Sequence, residues 1–294
     1  MGIEITRLSK HFVAEIGGVE LTGPVDAATV RAIDLAFNEH SILVFHDQDF
    51  DDESQAAFTQ RLGPLETTVS SNPLGGGSHI AVISNVDEAG NIMPPDDKRM
   101  VYNSGNEMWH SDSSFKPVPA TGSFLSGREV PPEGGETEFC SLRAAYEALP
   151  DSRKAWLEGK IAVHDFLYSR GLIDKSLLGE EDRKELPPVR HPLVRTNPMT
   201  GRKSLYIGAH ASYIESLPVN EGRVILKELL QHATQAEFVY QHKWRRLDAV
   251  MWDNRAALHR GRSWDKAKFR RIMHRTTLAG IGPTTEQPYA TAAE

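Results

Sequence analysis

One cysteine, Cys140, occurs in 294 residues. An intramolecular disulfide is therefore impossible, and so is a zinc or iron–sulfur site built from several thiolates of one chain. What remains is a lone thiol, for which a buried, unreactive position is the expectation. No window reaches the 18 or so apolar residues of a membrane span. Positive charge is not in surplus: 33 Lys and Arg stand against 40 Asp and Glu, a net charge of −7. A nucleic-acid binder needs a basic face, so neither nucleic acid nor membrane is expected as a partner. The opening Met1-Gly2-Ile3-Glu4-Ile5-Thr6 lacks the basic and apolar stretches of a secretory signal, which makes the cytoplasm the expected location.

Turn residues are plentiful. The 23 glycines and 17 prolines suit a loop-rich β architecture better than a helix bundle. Two short strands are expected within 3–20, around Gly17-Gly18. A helix over 26–39 is capped by Asp26 and carries Val30, Ile33 and Phe37 on one face. The apolar run 41–45 reads as a buried strand. A helix over 52–62 starts at Asp51 or Asp52, lines Ala57, Phe58 and Leu62 along one face, and stops at Gly63. Residues 66–79 form a loop with Gly75-Gly76-Gly77, which no Gly-Lys-Ser/Thr follows as a phosphate cradle would require. His79–Ser84 reads as a strand and 85–100 as a loop. Beyond 120, short strands dominate, at 121–129, 136–140, 160–166, 190–195, 203–208, 237–242, 248–253 and 270–279. Helices interrupt at 141–158 and 219–233, the second with Val224, Ile225, Leu229 and Leu230 on one side. The pattern predicts a mostly β chain with flanking helices around an antiparallel sandwich or barrel. Residues 1–294 read as one domain, with a frayed tail from about 284.

Chemistry concentrates in Trp109-His110-Ser111-Asp112. Residues two apart point the same way on an extended segment and diverge on a helix. His110 and Asp112 can therefore chelate one ion if the segment is extended, as Gly105, Ser113, Pro117 and Pro119 suggest. A third ligand is available in His259, 147 residues beyond Asp112. Two histidines and a carboxylate form the facial triad of non-haem Fe(II) oxygenases, which leaves positions open for a chelating co-substrate and O2. A His-x-Asp pair also arises by chance, and twelve histidines are on offer. Downstream runs a basic strand, Lys266 to Leu278. Arginine there can fork onto an anionic co-substrate, or the strand is simply a charged edge.

These segments resemble the taurine/2,4-dichlorophenoxyacetate dioxygenase family of Fe(II)/2-oxoglutarate enzymes. The resemblance rests on Trp-His-Ser-Asp-Ser-Ser-Phe (109–115), Gly-Gly-Glu-Thr-Glu-Phe (134–139), His-Lys-Trp (242–244), Met-Trp-Asp-Asn-Arg (251–255) with His259, and Arg-Arg-Ile-Met-His-Arg (270–275). It spans about 5–280. Ser-Asp-Ser-Ser-Phe-Lys-Pro-Val-Pro-Ala (111–120), Leu-Arg-Ala-Ala-Tyr (142–146) and Tyr-Ser-Arg-Gly (168–171) draw it toward the phenoxyacetate branch. The resemblance implies a double-stranded β-helix (jelly roll, cupin-like) core. It implies iron on His110, Asp112 and His259, which are also the catalytic residues. It implies 2-oxoglutarate held through its far carboxylate by Arg271 and Thr137, with Arg270 a competitor because the spacing from His259 to Arg271 is one residue longer than the family pattern. Arg275 would meet the substrate's anionic group, while Asn106 and Ser70 would line its pocket. The stretch Glu66-Thr67-Thr68-Val69-Ser70 lacks the histidine that contacts sulfonate in the taurine branch, which counts against taurine.

The implied activity is hydroxylation of a small anionic substrate beside its acid group, with an aryloxyalkanoate as the best guess and ether cleavage as the outcome. Succinate and CO2 are the co-products. Another acid or a sulfonate is the nearest alternative. A zinc hydrolase on the same three ligands and a non-catalytic binding barrel are rival classes. Neither has a use for the arginines and the threonine. A homo-oligomer is left open. Trp109 and Trp252 read as packing beside the ligands, His210, His242 and His274 as satisfied polar groups, and Asp253 and Asn254 as stabilising the turn before His259. Tyr102, Phe115 and Tyr168 are candidates for an aromatic pocket wall.

Overall fold

The computed structural model describes residues 2–70 and 76–285. Its main sheet runs, by neighbour, Glu4–Arg7, Val13–Gly17, Ile42–Phe45, Ala249–Asp253, Gly122–Glu129, Ile272–Leu278 and Ala81–Ser84. All pairs are antiparallel except Val13–Gly17 with Ile42–Phe45, which the helix Ala27–His40 connects as a crossover. The continuous apolar run 42–45 follows from its place in the sheet, where both faces are covered. On one face Leu43, Phe45, Phe124 and Met251 pack under Ile33 and Phe37 of that helix, with Phe50 and Phe58 beside them. On the other, Ile42, Val44, Val250 and Trp252 pack against Phe139 and Ala257.

Phe139 and Ala257 belong to a second sheet of Val239–His242, Thr137–Ser141 and Ala257–Gly261. A third sheet joins Ala211–Ile214, Ile161–His164 and Val189–Pro192. Strands distant in sequence are neighbours throughout, and the result is the expected jelly-roll core with flanking helices. Cys140 is fully buried and its thiol is pushed up to about 12 by that burial, so it is the inert thiol expected.

The two early helices are capped as read: Asp26 accepts from Ala28 and Thr29, and Asp51 from Ser54, with Gly63 closing the second. Four readings are corrected. The helix expected over 141–158 is two, Leu142–Glu147 and Asp151–Leu157, because Pro150 cannot donate to a continuing ladder. In Val219–Ala233 the buried face is Gly222, Leu226, Leu229 and Ala233, while Val224 faces outward. The expected strand 160–166 ends at His164, where Asp165 caps the helix Phe166–Gly171. The loop 85–100 runs into a helix, Lys98–Asn103, capped by Asp97. Gly75 and the tail beyond 285 lie outside the described residues. Thr284 does not fray: it is buried, with its hydroxyl 2.6 Å from His191 Nδ1.

His164 and His191 are fully buried, rings 5.0 Å apart, beside Tyr206. Burial holds both imidazoles below their ordinary range, His191 at about 4. The unfolded chain takes up these protons near 6.5, and the folded chain does not. Their contribution to stability is thus complete above about 6.5 and is lost as pH falls toward 4. The melting temperature should decline over that window, and His191→Gln should make the decline shallower. An unchanged slope in the variant would remove His191 from the account.

Candidate active site

His110 and His259 face each other across an antiparallel bridge. Each donates its N–H to the other's carbonyl, at 3.0 and 2.9 Å. Residues paired this way project their side chains on the same side, and the two rings lie 4.2 Å apart. Asp112 follows just where the chain turns, with Ser113 at φ 55°. The segment is extended only at the ligands themselves, since Ser104–Glu107 is a 3-10 turn. One donor atom from each of His110, Asp112 and His259 comes within 4.8 Å of the other two, and all three residues are buried.

Surrounding groups orient the three side chains. His110 Nδ1 lies 2.8 Å from the Met108 carbonyl, so that nitrogen donates and Nε2 keeps its lone pair. Nε2 of His110 and of His259 stand 3.8 and 3.7 Å from the Asp112 carboxylate. Burial holds both imidazoles neutral-leaning, below their usual range. Burial alone would raise the Asp112 carboxyl, but the Arg275 guanidinium and the two imidazoles hold it well below the usual range. Ser123 donates to Asp112 Oδ2 at 2.7 Å. Asn254 ties the group together: its Oδ1 accepts from the Asp112 N–H and from Trp252 Nε1, and its Nδ2 donates to Ser123. Three convergent, buried donors, with neutral imidazoles and an ionised carboxylate, are a donor set that fits a divalent cation.

A second fit concerns an anion. Arg271 is buried, and its Nε donates to the Gly135 carbonyl at 3.3 Å. No ion pair reaches it among the described residues, and burial alone pulls its pKa down to about 10. Gly134 and Gly135, at φ 73° and 69°, let the chain turn close to it: a Cβ at 135 would meet the Arg271 Cδ at 3.3 Å. Its guanidinium lies over the Trp264 ring and borders a cavity that Ile83, Asn103, Asn106 and Gly261 also line. Thr137 is buried two residues beyond Gly135, its hydroxyl accepting from Trp244 Nε1 at 2.9 Å. Arg270 points elsewhere, half-exposed and paired with Glu129 at 3.0 Å. Of the two competing arginines, only Arg271 is a buried cation with no acidic partner.

Above the triad opens a cleft. Asn106, Tyr102, Phe115 and Arg275 line it, as the sequence suggested. Arg275 donates to Asp112 Oδ1 instead of projecting freely into the cleft. Ser70 is not in the lining: it is exposed, its N–H toward Glu185 at 3.4 Å, and Thr67, Thr68 and Val69 line the wall instead. Tyr168 lies under Arg223, away from the cleft. Sequence reasoning passed over Phe166, Arg170 and His79 as lining residues. His210 was read as a satisfied polar group; its Nδ1 is 2.8 Å from Ser169, yet its ring also walls the cleft. His79 reaches the cleft because Thr68 and Ser78 pair through their backbones. A histidine missing from 66–70 is therefore not missing from the cleft.

A jelly roll carrying a buried two-histidine, one-carboxylate centre, with a free guanidinium nearby, defines the non-haem iron oxygenase class. The family model described as taurine catabolism dioxygenase TauD, TfdA family matches residues 4–277, and the chain belongs to that family. It is a 2-oxoglutarate-dependent non-haem iron dioxygenase, using Fe(II), 2-oxoglutarate and O2. It is 45% identical over 282 residues to the alpha-ketoglutarate-dependent 2,4-dichlorophenoxyacetate dioxygenase of Cupriavidus pinatubonensis, covering 95% of this chain and 98% of that one. It is 38% identical to the (S)-phenoxypropionate/alpha-ketoglutarate-dioxygenase of Sphingobium herbicidovorans, covering 98% of each. Among solved structures, the crystal structure of AAD-2 in complex with Mn(II) and N-oxalylglycine matches with a TM-score of 0.90 and 43% identity, over 98% of this chain and 100% of that one.

Because Asn254 and Ser123 fix Asp112, removing either should loosen the metal site without removing a ligand. Asn254→Ala and Ser123→Ala are expected to weaken Mn(II) binding about 10- to 100-fold, read by calorimetric titration. Unchanged affinity in both would reduce these residues to packing.

Proposed function

We propose that the chain hydroxylates an aryloxyalkanoate at the carbon beside its carboxylate, within one catalytic domain. His110, Asp112 and His259 hold the iron, Arg271 and Thr137 hold the far carboxylate of 2-oxoglutarate, and Arg270 has no part in binding it. The observation that carries this reading is the buried, unpaired Arg271 beside a cavity that shares Ile83, Asn103 and Asn106 with the cleft over the triad. A zinc hydrolase or a binding barrel has no use for such a cation.

Bound there, iron would supply the activation of O2, with 2-oxoglutarate as the two-electron donor that is converted to succinate and CO2; one oxygen atom would go into succinate and the other into the substrate C–H bond. The chain contributes binding and orientation. Arg271 forks onto a carboxylate in a site where desolvation strengthens the pairing. Met108, through its carbonyl, keeps the His110 Nε2 lone pair aimed at the centre. Arg275 and Ser123 keep Asp112 ionised and oriented. Phe115, Phe166 and Tyr102 give the cleft an aromatic wall for an aryl ring. A hydroxyl placed on a carbon that bears an ether oxygen makes a hemiacetal, which collapses and cleaves the ether. The names of the relatives, acting on 2,4-dichlorophenoxyacetate and (S)-phenoxypropionate, support this substrate class. With His79 in the cleft, a sulfonate stays as the second reading.

Anaerobic titration with Fe(II) and 2-oxoglutarate should raise a weak visible charge-transfer band that His110→Ala abolishes. Arg271→Ala should weaken 2-oxoglutarate binding at least about tenfold, and Arg270→Ala by less than about twofold. The reverse order would transfer the role to Arg270. Succinate release over a panel of phenoxyacetates, phenoxypropionates and taurine then separates the two substrate readings.

A further inference from the structure

Of the segments that mark the family, His-Lys-Trp (242–244) lies outside the metal centre, the Arg271 cavity and the cleft. Antiparallel register nevertheless sets His242, Thr137 and Gly261 side by side across the second sheet. Residues paired this way project to the same side. Gly261 lines the Arg271 cavity and adds no side chain to the row, so Thr137 is the last side chain before the cavity.

Trp244 Nε1 lies 2.9 Å from Thr137 Oγ1. An indole N–H only donates, so the threonine oxygen accepts and the hydroxyl keeps its own proton to give. Among the described residues no acceptor takes that proton. A hydroxyl whose oxygen already accepts a bond is the stronger donor, and an ionised carboxylate only accepts. The indole itself is firmly seated. Its ring stands edge-on to His242 at 4.7 Å and packs against the core between the sheets. Gly127 admits it: a Cβ there would meet Trp244 Cε3 at 3.4 Å. Asp248 closes the turn that follows, accepting from the Arg245 N–H at 2.9 Å and lying 3.1 Å from His242 Nε2 and 2.6 Å from His46 Nδ1. Backbone bonds from Leu247 to Gly127 and from Gly127 to Asp248 tie that turn to the strand Gly122–Glu129.

We propose that Trp244 is a positioning residue for the co-substrate. Its indole N–H fixes the Thr137 hydroxyl as a donor to the far carboxylate, and so favours a 2-oxo acid that carries one. The inference rests on the reading that Arg271 and Thr137 hold that carboxylate.

The test is calorimetric titration of the Mn(II)-loaded protein with N-oxalylglycine, which carries a far carboxylate, and with oxalate, which chelates the metal but has none. Trp244→Phe keeps the packing and removes the N–H. It should weaken N-oxalylglycine binding about fivefold and oxalate binding less than about twofold. Thr137→Val should weaken N-oxalylglycine about tenfold. Adding Trp244→Phe to Thr137→Val should cost less than about twofold more, because the two residues act as one unit. In the Zn(II)-loaded wild type, one of the five indole N–H signals in a heteronuclear NMR spectrum, the one that Thr137→Val displaces, should move with N-oxalylglycine and stay with oxalate. That readout serves if Trp244→Phe does not fold, and a signal that ignores N-oxalylglycine counts against the link. Equal losses on both ligands, or a Trp244→Phe effect that persists in full beside Thr137→Val, overturn the inference by making Trp244 a packing residue. An unchanged preference in Trp244→Phe, lost in Arg271→Ala, also overturns it and leaves the co-substrate reading standing. If Arg271→Ala loses nothing on N-oxalylglycine, the co-substrate reading and the inference fall together.

Discussion

The reciprocal backbone pair between His110 and His259 is the constraint on which the site depends. Two imidazoles 149 residues apart share one face only because a hydrogen-bonded antiparallel bridge leaves them no other arrangement. The sheets exist, in this view, to deliver that bridge. Ala257–Gly261 is held in register by Thr137–Ser141, which also brings Thr137 and the Gly134-Gly135 turn alongside. Ala249–Asp253, at the centre of the main sheet, runs directly into Asn254 and so couples the position of Asp112 to a strand buried at every position.

Charge is distributed with the same economy. Each exposed arginine near the centre has an acid, as Arg270 has Glu129 and Arg260 has Glu138. Two of the buried guanidiniums that lack one among the described residues, Arg271 and Arg170, border two adjoining cavities. Aromatic rings cover both, Trp264 over one and Tyr102 with Phe166 over the other. Stacking shields a guanidinium's faces without using up its donors. The cleft is consequently polarised before anything enters it, and the polarisation favours acids.

Much of this was legible in the sequence, for reasons that can be named. Period-two and period-3.6 patterns revealed the sheet strands and the capped helices, because Asp26, Asp51 and Gly63 act through local backbone geometry. His110, Asp112 and His259 were recoverable because their types and the i, i+2 spacing carry a chemical meaning. Arg270 and Arg271 were not separable, since adjacent residues on a strand differ only in which face they present, and only packing says which face is inside. Arg170 was passed over as part of the cleft lining because its environment comes from Tyr102 and Gly105, more than 60 residues earlier. Nothing local marks an arginine as lacking a partner. Val224 misled for the related reason that a helix with apolar residues around much of its surface does not declare its buried stripe.

Cys140 sits in the strand Thr137–Ser141, sealed between sheets. With its thiol raised to about 12, there is no thiolate at neutral pH to form cross-links between copies in air, nor a soft sulfur donor to compete for a borderline metal. The one thiol of the chain is therefore kept apart from the oxygen its chemistry consumes.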